Sequence, residues 1–158
     1  MLTRAPSSFR VYFVRACACV LALSAVGKLI SVALPTPILT RPDPVIYPLQ
    51  VWHVAAVAAL LEAFAGVWLL RNAHHKFAPG VILWLCSLFI AYRIGLVVIS
   101  PGAPCPCLGR LAGWLPFPEQ TTDRGLLAIL AGMTAGSLAV AVSGSARNVK
   151  ASADTQRQ

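Results

Sequence analysis

An all-α integral membrane protein, an antiparallel bundle of four transmembrane helices, is the fold this sequence predicts, on three observations. The 158-residue chain is 58% hydrophobic and only 11% charged, where a soluble domain carries roughly a quarter charged residues. Its apolar residues gather in four stretches of near-spanning length. Its lysines and arginines cluster at the ends of those stretches, where membrane topology puts them. In water such a chain would expose large apolar patches, so its partner is the lipid bilayer. The net charge of +8 does not indicate nucleic acid, because the basic residues form no stripe interleaved with aromatics.

The elements follow in order. Apolar runs predict helices over about residues 11–34, 51–70, 79–99 and 122–143, the last with its apolar part from Leu126 to Val142. Each is near the ~20 residues that cross a ~30 Å hydrocarbon core at 1.5 Å per residue. The runs are too few, too long and not alternating for a barrel of strands. Pro35 and Pro37 stop the first run, because proline cannot continue a helix ladder. The link Pro35–Gln50 holds five prolines and reads as an extended loop. Ser100-Pro101-Gly102 ends the third run, and Thr121, Thr122 or Asp123 supplies an N-cap for the fourth. Residues 1–10 form a flank, 11–143 the membrane domain and 144–158 a polar, frayed tail. Ala128, Gly132 and Gly136 recur every four residues and read as a packing face within the bundle.

Lysine and arginine counts set an expected orientation. The N-terminal flank carries Arg4, Arg10 and Arg15; the link after the second helix carries Arg71 and Lys76; the tail carries Arg147, Lys150 and Arg157. The other two loops are poorer in these residues and hold Asp43, Glu119 and Asp123. Both termini are therefore expected on the cytoplasmic side, with loops 35–50 and 100–123 outside. Arg4, Arg10 and Arg15 ahead of Ala16–Gly27 also have the look of a secretory signal. The apolar run resumes after Lys28 without a cleavage-type site before a polar start. The loops keep the same sides either way.

The sharpest motif is Pro104-Cys105-Pro106-Cys107-Leu108-Gly109. Two cysteines one residue apart on an oxidising side can pair, and so small a ring is strained, which suits exchange. Arg110 is close enough to favour a thiolate. Two other readings stay open. A structural bridge would close almost no loop and so add little stability. Two thiolates would suit Cu(I), but further ligands are sparse: Met1, Met133 and one outer histidine, His53. Zinc would need four ligands; no metal site is assigned.

Lys28, Glu62 and Arg93 lie inside apolar runs. At mid-membrane each costs on the order of 2.5–3.5 kcal/mol on insertion scales, so they are expected to pair and face the interior. Their depths allow a carboxylate flanked by two cations in the outer half. That arrangement would make a polar pocket for a quinone head group or for proton movement; the alternative is a structural ion cluster that fixes helix register. His74 and His75 read as a solvated turn. Cys17, Cys19 and Cys86 read as buried packing, and Trp52, Trp68, Trp84 and Trp114 as interfacial or core residues. Phosphate loops, zinc-protease motifs and Ser-His-Asp sets are absent.

These residues together resemble the four-helix membrane proteins of the MauE/DoxX group, MauE (methylamine utilisation) proteins in particular. The resemblance covers nearly the whole chain. It is carried by Ser24-Ala25-Val26-Gly27-Lys28-Leu29, Pro42-Asp43-Pro44, Glu62 with Gly66, Tyr92-Arg93 and Cys105-Pro106-Cys107-Leu108-Gly109. It implies a bacterial inner-membrane protein in extracytoplasmic thiol–disulfide chemistry, linked to maturation of a disulfide-rich periplasmic protein and working beside a thioredoxin-like periplasmic partner. Carried over, Cys105 and Cys107 are the redox pair, and Lys28, Glu62 and Arg93 the intramembrane polar set. Some DoxX-like relatives are tied to quinone reduction, which implies a quinone as electron carrier. The competing expectation is a non-enzymatic subunit or assembly factor whose cysteines are structural or bind Cu(I).

Overall fold

The computed structural model describes residues 7–34, 39–100 and 119–155, with backbone alone at Ser7, 119–123 and 144–155. It is all-α. Helix α1 spans Ser7–Ala33, α2 Val51–Arg71, α3 Ala78–Ile99 and α4 Glu119–Thr155. All four contain a stretch long and apolar enough to cross a membrane. Large apolar side chains cover the outside: Leu23 is 68% exposed, Phe64 74% and Val98 72%. Such a surface belongs in lipid, where helices are the open-chain way to satisfy every backbone polar group.

Local chemistry sets most helix ends. At α2 the chain enters through an extended Gln50 and leaves at Asn72, whose backbone N–H and side-chain Nδ2 both donate to the Trp68 carbonyl, at 2.9 and 3.0 Å. Pro79 stands in the first turn of α3, where its missing N–H costs no ladder bond. Two ends differ from the sequence expectation. α1 starts four residues before Val11, because Ser7–Arg10 contains nothing that breaks a helix. α4 starts at Glu119, so Thr121 and Thr122 lie in its first turn and Asp123 just past it, instead of capping it. Its backbone also stays helical through the polar tail to Thr155. That segment has no proline and is rich in alanine, so the ladder can continue past the apolar part.

The helices pack mainly as two antiparallel pairs, α1 with α2 and α3 with α4. Gly66 lets α2 approach the α1 backbone, since a Cβ there would lie 3.3 Å from the Ala18 carbonyl oxygen. At one end of the bundle, the turn end, the Arg10 guanidinium donates to the His75 carbonyl at 2.8 Å and ties α1 to the α2–α3 turn. His75 also meets the Trp68 ring edge-on at 5.8 Å. The half of the bundle next to this turn holds the core: Val14, Ala18 and Leu21 of α1, Leu69 of α2, Ile82 and Leu85 of α3 and Met133 of α4.

The predicted small-residue face of α4 divides. Gly136 makes room for the Phe13 ring of α1, whereas Gly132 faces open space and Ala128 is exposed. Each step of four residues turns about 40° past a full circle, so the face drifts out of the contact.

At the opposite end, the loop end, residues 39–50 form a compact cap instead of an extended link. Asp43 N–H donates to the Leu49 carbonyl at 2.7 Å, and Val51 N–H to the Arg41 carbonyl at 3.0 Å. The Asp43 carboxylate accepts from the Val45 and Ile46 amides at 2.8 and 2.9 Å, a local turn that asparagine and aspartate side chains favour. Its other oxygen accepts from the Tyr92 hydroxyl of α3 at 2.8 Å. Beside this bond Gly95 leaves space for Val45, whose Cγ1 would sit 3.0 Å from a Cβ.

Candidate functional site: a polar-edged cavity in the hollow half

Ser24 lies one helical turn before Lys28, so both side chains share a face of α1. That face meets Glu62 of α2. The Lys28 ammonium donates to Ser24 Oγ at 2.7 Å and to both Glu62 carboxylate oxygens, at 2.7 and 2.8 Å. It lies 5.7 Å from the centre of the Phe89 ring of α3, within cation–π range. Lys28 is 5% and Glu62 2% exposed. All three ammonium protons are therefore taken, and the two charges cancel inside the bundle. The predicted pairing of Lys28 with Glu62 is present, and it is complete without a third ion.

Beside the pair is a cavity of about 570 Å³. Its walls come from all four helices and from Ile46 and Leu49 of the cap. They are almost wholly apolar, with polar edges from Ser24, Lys28, Glu62, His53 and Tyr92. Ligand pockets of this size, apolar with a few convergent polar groups, are the usual kind that hold small molecules. Arg93 departs from the expected flanking role: it is half-buried on α3 and is not among the cavity-lining residues. The reason is angular. Tyr92 takes the inward position next to the cap, and the following residue is turned by about 100°.

The structure adds two groups that the sequence reading left outside the site. Among the described residues, three shielded side-chain atoms lack a hydrogen-bond partner: Arg10 Nε, His53 Nδ1 and Ser137 Oγ. Of their residues, His53 alone lines the cavity. Its ring stacks on Trp52 with centroids 3.7 Å apart, and Trp52 Nε1 donates to Gln50 Oε1 at 2.6 Å. The second group is the Tyr92–Asp43 bond, which ties the cavity wall to its cap. A tyrosine within an apolar run was the available signal for it, because a buried phenol needs a partner.

Cys17 and Cys86 are buried free thiols, but Cys19 is exposed, contrary to the expectation of packing. Two residues along a helix turn about 200°, so Cys17 and Cys19 face opposite ways. Among the described residues, no group of three or more histidine, cysteine or acidic side chains is placed to hold a metal. Cys105, Cys107, Arg110 and Trp114 lie outside the described residues. The ends of their segment are defined: α3 stops at Ile99, and α4 begins at Glu119. Both helices reach the cap end of the cavity, through Tyr92 and Leu126. Comparison with protein-family models, with curated proteins and with solved structures finds no match to this chain.

Proposed function

We propose that this four-span membrane protein supports thiol–disulfide exchange outside the cytoplasm, with Cys105 and Cys107 as the exchanging pair and Arg110 favouring the thiolate. The observation that carries the reading is the Cys105-Pro106-Cys107 sequence. A bridge across one residue is strained, and strain raises readiness to exchange. The resemblance to MauE/DoxX-like proteins supports the same role in a bacterial inner membrane, and the lysine and arginine distribution supports an outward-facing position for this loop.

One thiolate of the pair attacks a sulfur of a partner's disulfide. A mixed disulfide forms, and the partner's other sulfur leaves as a thiolate. The second cysteine loses its proton and attacks the mixed bond. The partner ends as a dithiol and Cys105–Cys107 as a disulfide. The reverse sequence oxidises a partner, which is the maturation role expected beside a thioredoxin-like protein. Resetting the pair moves two electrons and two protons to or from a membrane carrier, a quinone or another membrane thiol.

The test is trapping. Cys105→Ser and Cys107→Ser are expected to hold a partner in a mixed disulfide, visible as a reductant-sensitive band on a non-reducing gel. A second reading is favoured by the saturation of the Lys28 ammonium, which suits a static scaffold. There the protein is an assembly subunit with structural or Cu(I)-binding cysteines. Full pathway function in the Cys105→Ser/Cys107→Ser double variant, with no trapped species, would replace the exchange role by that one.

A further inference from the structure

We propose that the core of the bundle holds a soft-metal site, for Cu(I), made of the Cys17 and Cys86 thiols and the Met133 thioether. It uses none of the residues assigned to thiol–disulfide exchange, and it stands or falls apart from that reading.

Three helices bring these sulfurs to one place. Cys17 of α1, Cys86 of α3 and Met133 of α4 belong to one enclosed cluster and are 4%, 1% and 8% exposed. Of the four sulfur side chains among the described residues, three meet there, and the fourth, Cys19, is exposed. The helix register agrees. The Phe13 ring of α1 lies against Gly136 of α4. These helices run in opposite directions, so one turn on along α1, at Cys17, stands level with one turn back on α4, at Gly132 and Met133. The His75 carbonyl accepts from both the Arg10 guanidinium of α1 and the Ala78 N–H that opens α3. From there Cys17 is seven residues along α1 and Cys86 eight along α3, about 10 and 12 Å at the helical rise. The two thiols are close enough to interact electrostatically, and Thr134, next to Met133, lies within reach of the Cys86 thiol.

The donor set selects the metal. Thiolate and thioether are soft ligands and favour Cu(I) over hard cations. Zinc requires four ligands, and no histidine, acidic residue or further cysteine among the described residues joins the two thiols. Cu(I) is satisfied by two or three sulfurs. Binding breaks one S–H bond and forms one copper–thiolate bond, with the second thiol and the thioether as neutral donors. One proton leaves and the copper stays Cu(I). The ion and the thiolate then cancel in charge, as an apolar interior requires. Cys86 and Met133 also line the cavity, which gives the ion an approach, and Cys17 lies behind them. A bare ion bonds the sulfurs it sits between and needs no larger chamber. Methionine turns on three bonds, so Met133 can close on the ion with little repacking.

The experiment loads the full chain carrying Cys105→Ser/Cys107→Ser, in lipid nanodiscs, with Cu(I) under anaerobic conditions against the chelator bathocuproine disulfonate. One copper per chain should resist the chelator, and X-ray absorption should show sulfur neighbours only. Cys17→Ala and Cys86→Ala should each abolish that retention. Met133→Leu, which keeps the volume, should weaken it at least about tenfold, the loss that even outer partners of a metal cause. Protein grown with selenomethionine should show a copper–selenium neighbour that disappears in Met133→Leu. That signal comes from the ligand itself, so it stands even if a cysteine variant folds poorly. Cys19→Ser should retain copper as before. Retention that survives Cys17→Ala/Cys86→Ala, nitrogen or oxygen neighbours, or the absence of a copper–selenium neighbour overturns the site. No retained copper, with a Cys17–Cys86 disulfide forming under a mild oxidant, overturns the metal and leaves a thiol pair.

Discussion

At the turn end, Val14, Leu69 and Ile82 are completely enclosed, and the helices meet through many small apolar contacts. At the loop end the same four helices stand around a cavity, and beside small buried residues such as Ala25, Ala55 and Ala59 they are joined by a short set of polar bonds: Lys28 with Glu62 between α1 and α2, and Tyr92 with Asp43 between α3 and the cap. The difference has a physical basis. In lipid there is no hydrophobic gain from bringing helices together, so a half with no buried ion pair holds mainly through close packing. A half with buried charge must place those groups first, and packing gives way around them. Stability is therefore spread over many contacts at one end and concentrated in a few at the other.

Breaking the concentrated half should have the largest effect. Lys28→Ala leaves Glu62 buried without its counter-charge and should cost about 3–5 kcal/mol in unfolding measured from bicelles or mixed micelles. Lys28→Met/Glu62→Leu removes both charges and should recover most of that loss. A single variant as stable as wild type would show that the pair does not hold the hollow half. The next contrast is apolar. Leu69→Ala, in the packed half, should cost about 1–3 kcal/mol, the packing and cavity part of a core truncation. Leu61→Ala, on the cavity wall, should cost less than about 0.5 kcal/mol, because few atoms face it on the hollow side. Equal losses would mean that the two halves are packed alike. The most local effect is expected at the cap. Tyr92→Phe removes one hydrogen bond, about 1 kcal/mol, and should speed proteolysis within residues 39–50 while leaving the turn end unchanged.

Much of the fold was legible from hydropathy. Four apolar runs of spanning length became four helices, because bilayer thickness imposes a length that sequence reports directly. Pairing of Lys28 with Glu62 was legible for a similar reason, since opposite charges inside apolar runs must find one another. Contacts set by angle were less legible. Cys19 turned outward, Gly132 and Ala128 left the α4 contact and Arg93 ceded the cavity to Tyr92, each through rotation that residue spacing constrains only loosely. The cap was misread as extended because five prolines suggest an open chain, whereas Asp43 gathers that chain through amides on one side and Tyr92 on the other.

The sequence by itself determined that the chain inserts into a membrane as four helices, because transfer of apolar segments out of water depends on composition and length, not on neighbours. It also holds the Cys105-Pro106-Cys107 motif on which the proposed exchange rests, since sulfur reactivity begins with the residue type. Tertiary structure alone decided that the interior closes at one end and opens at the other, and that His53 stands on the wall of the opening. Those features depend on how helix faces are rotated against one another, and that rotation is set by the sum of contacts across all four helices and the cap.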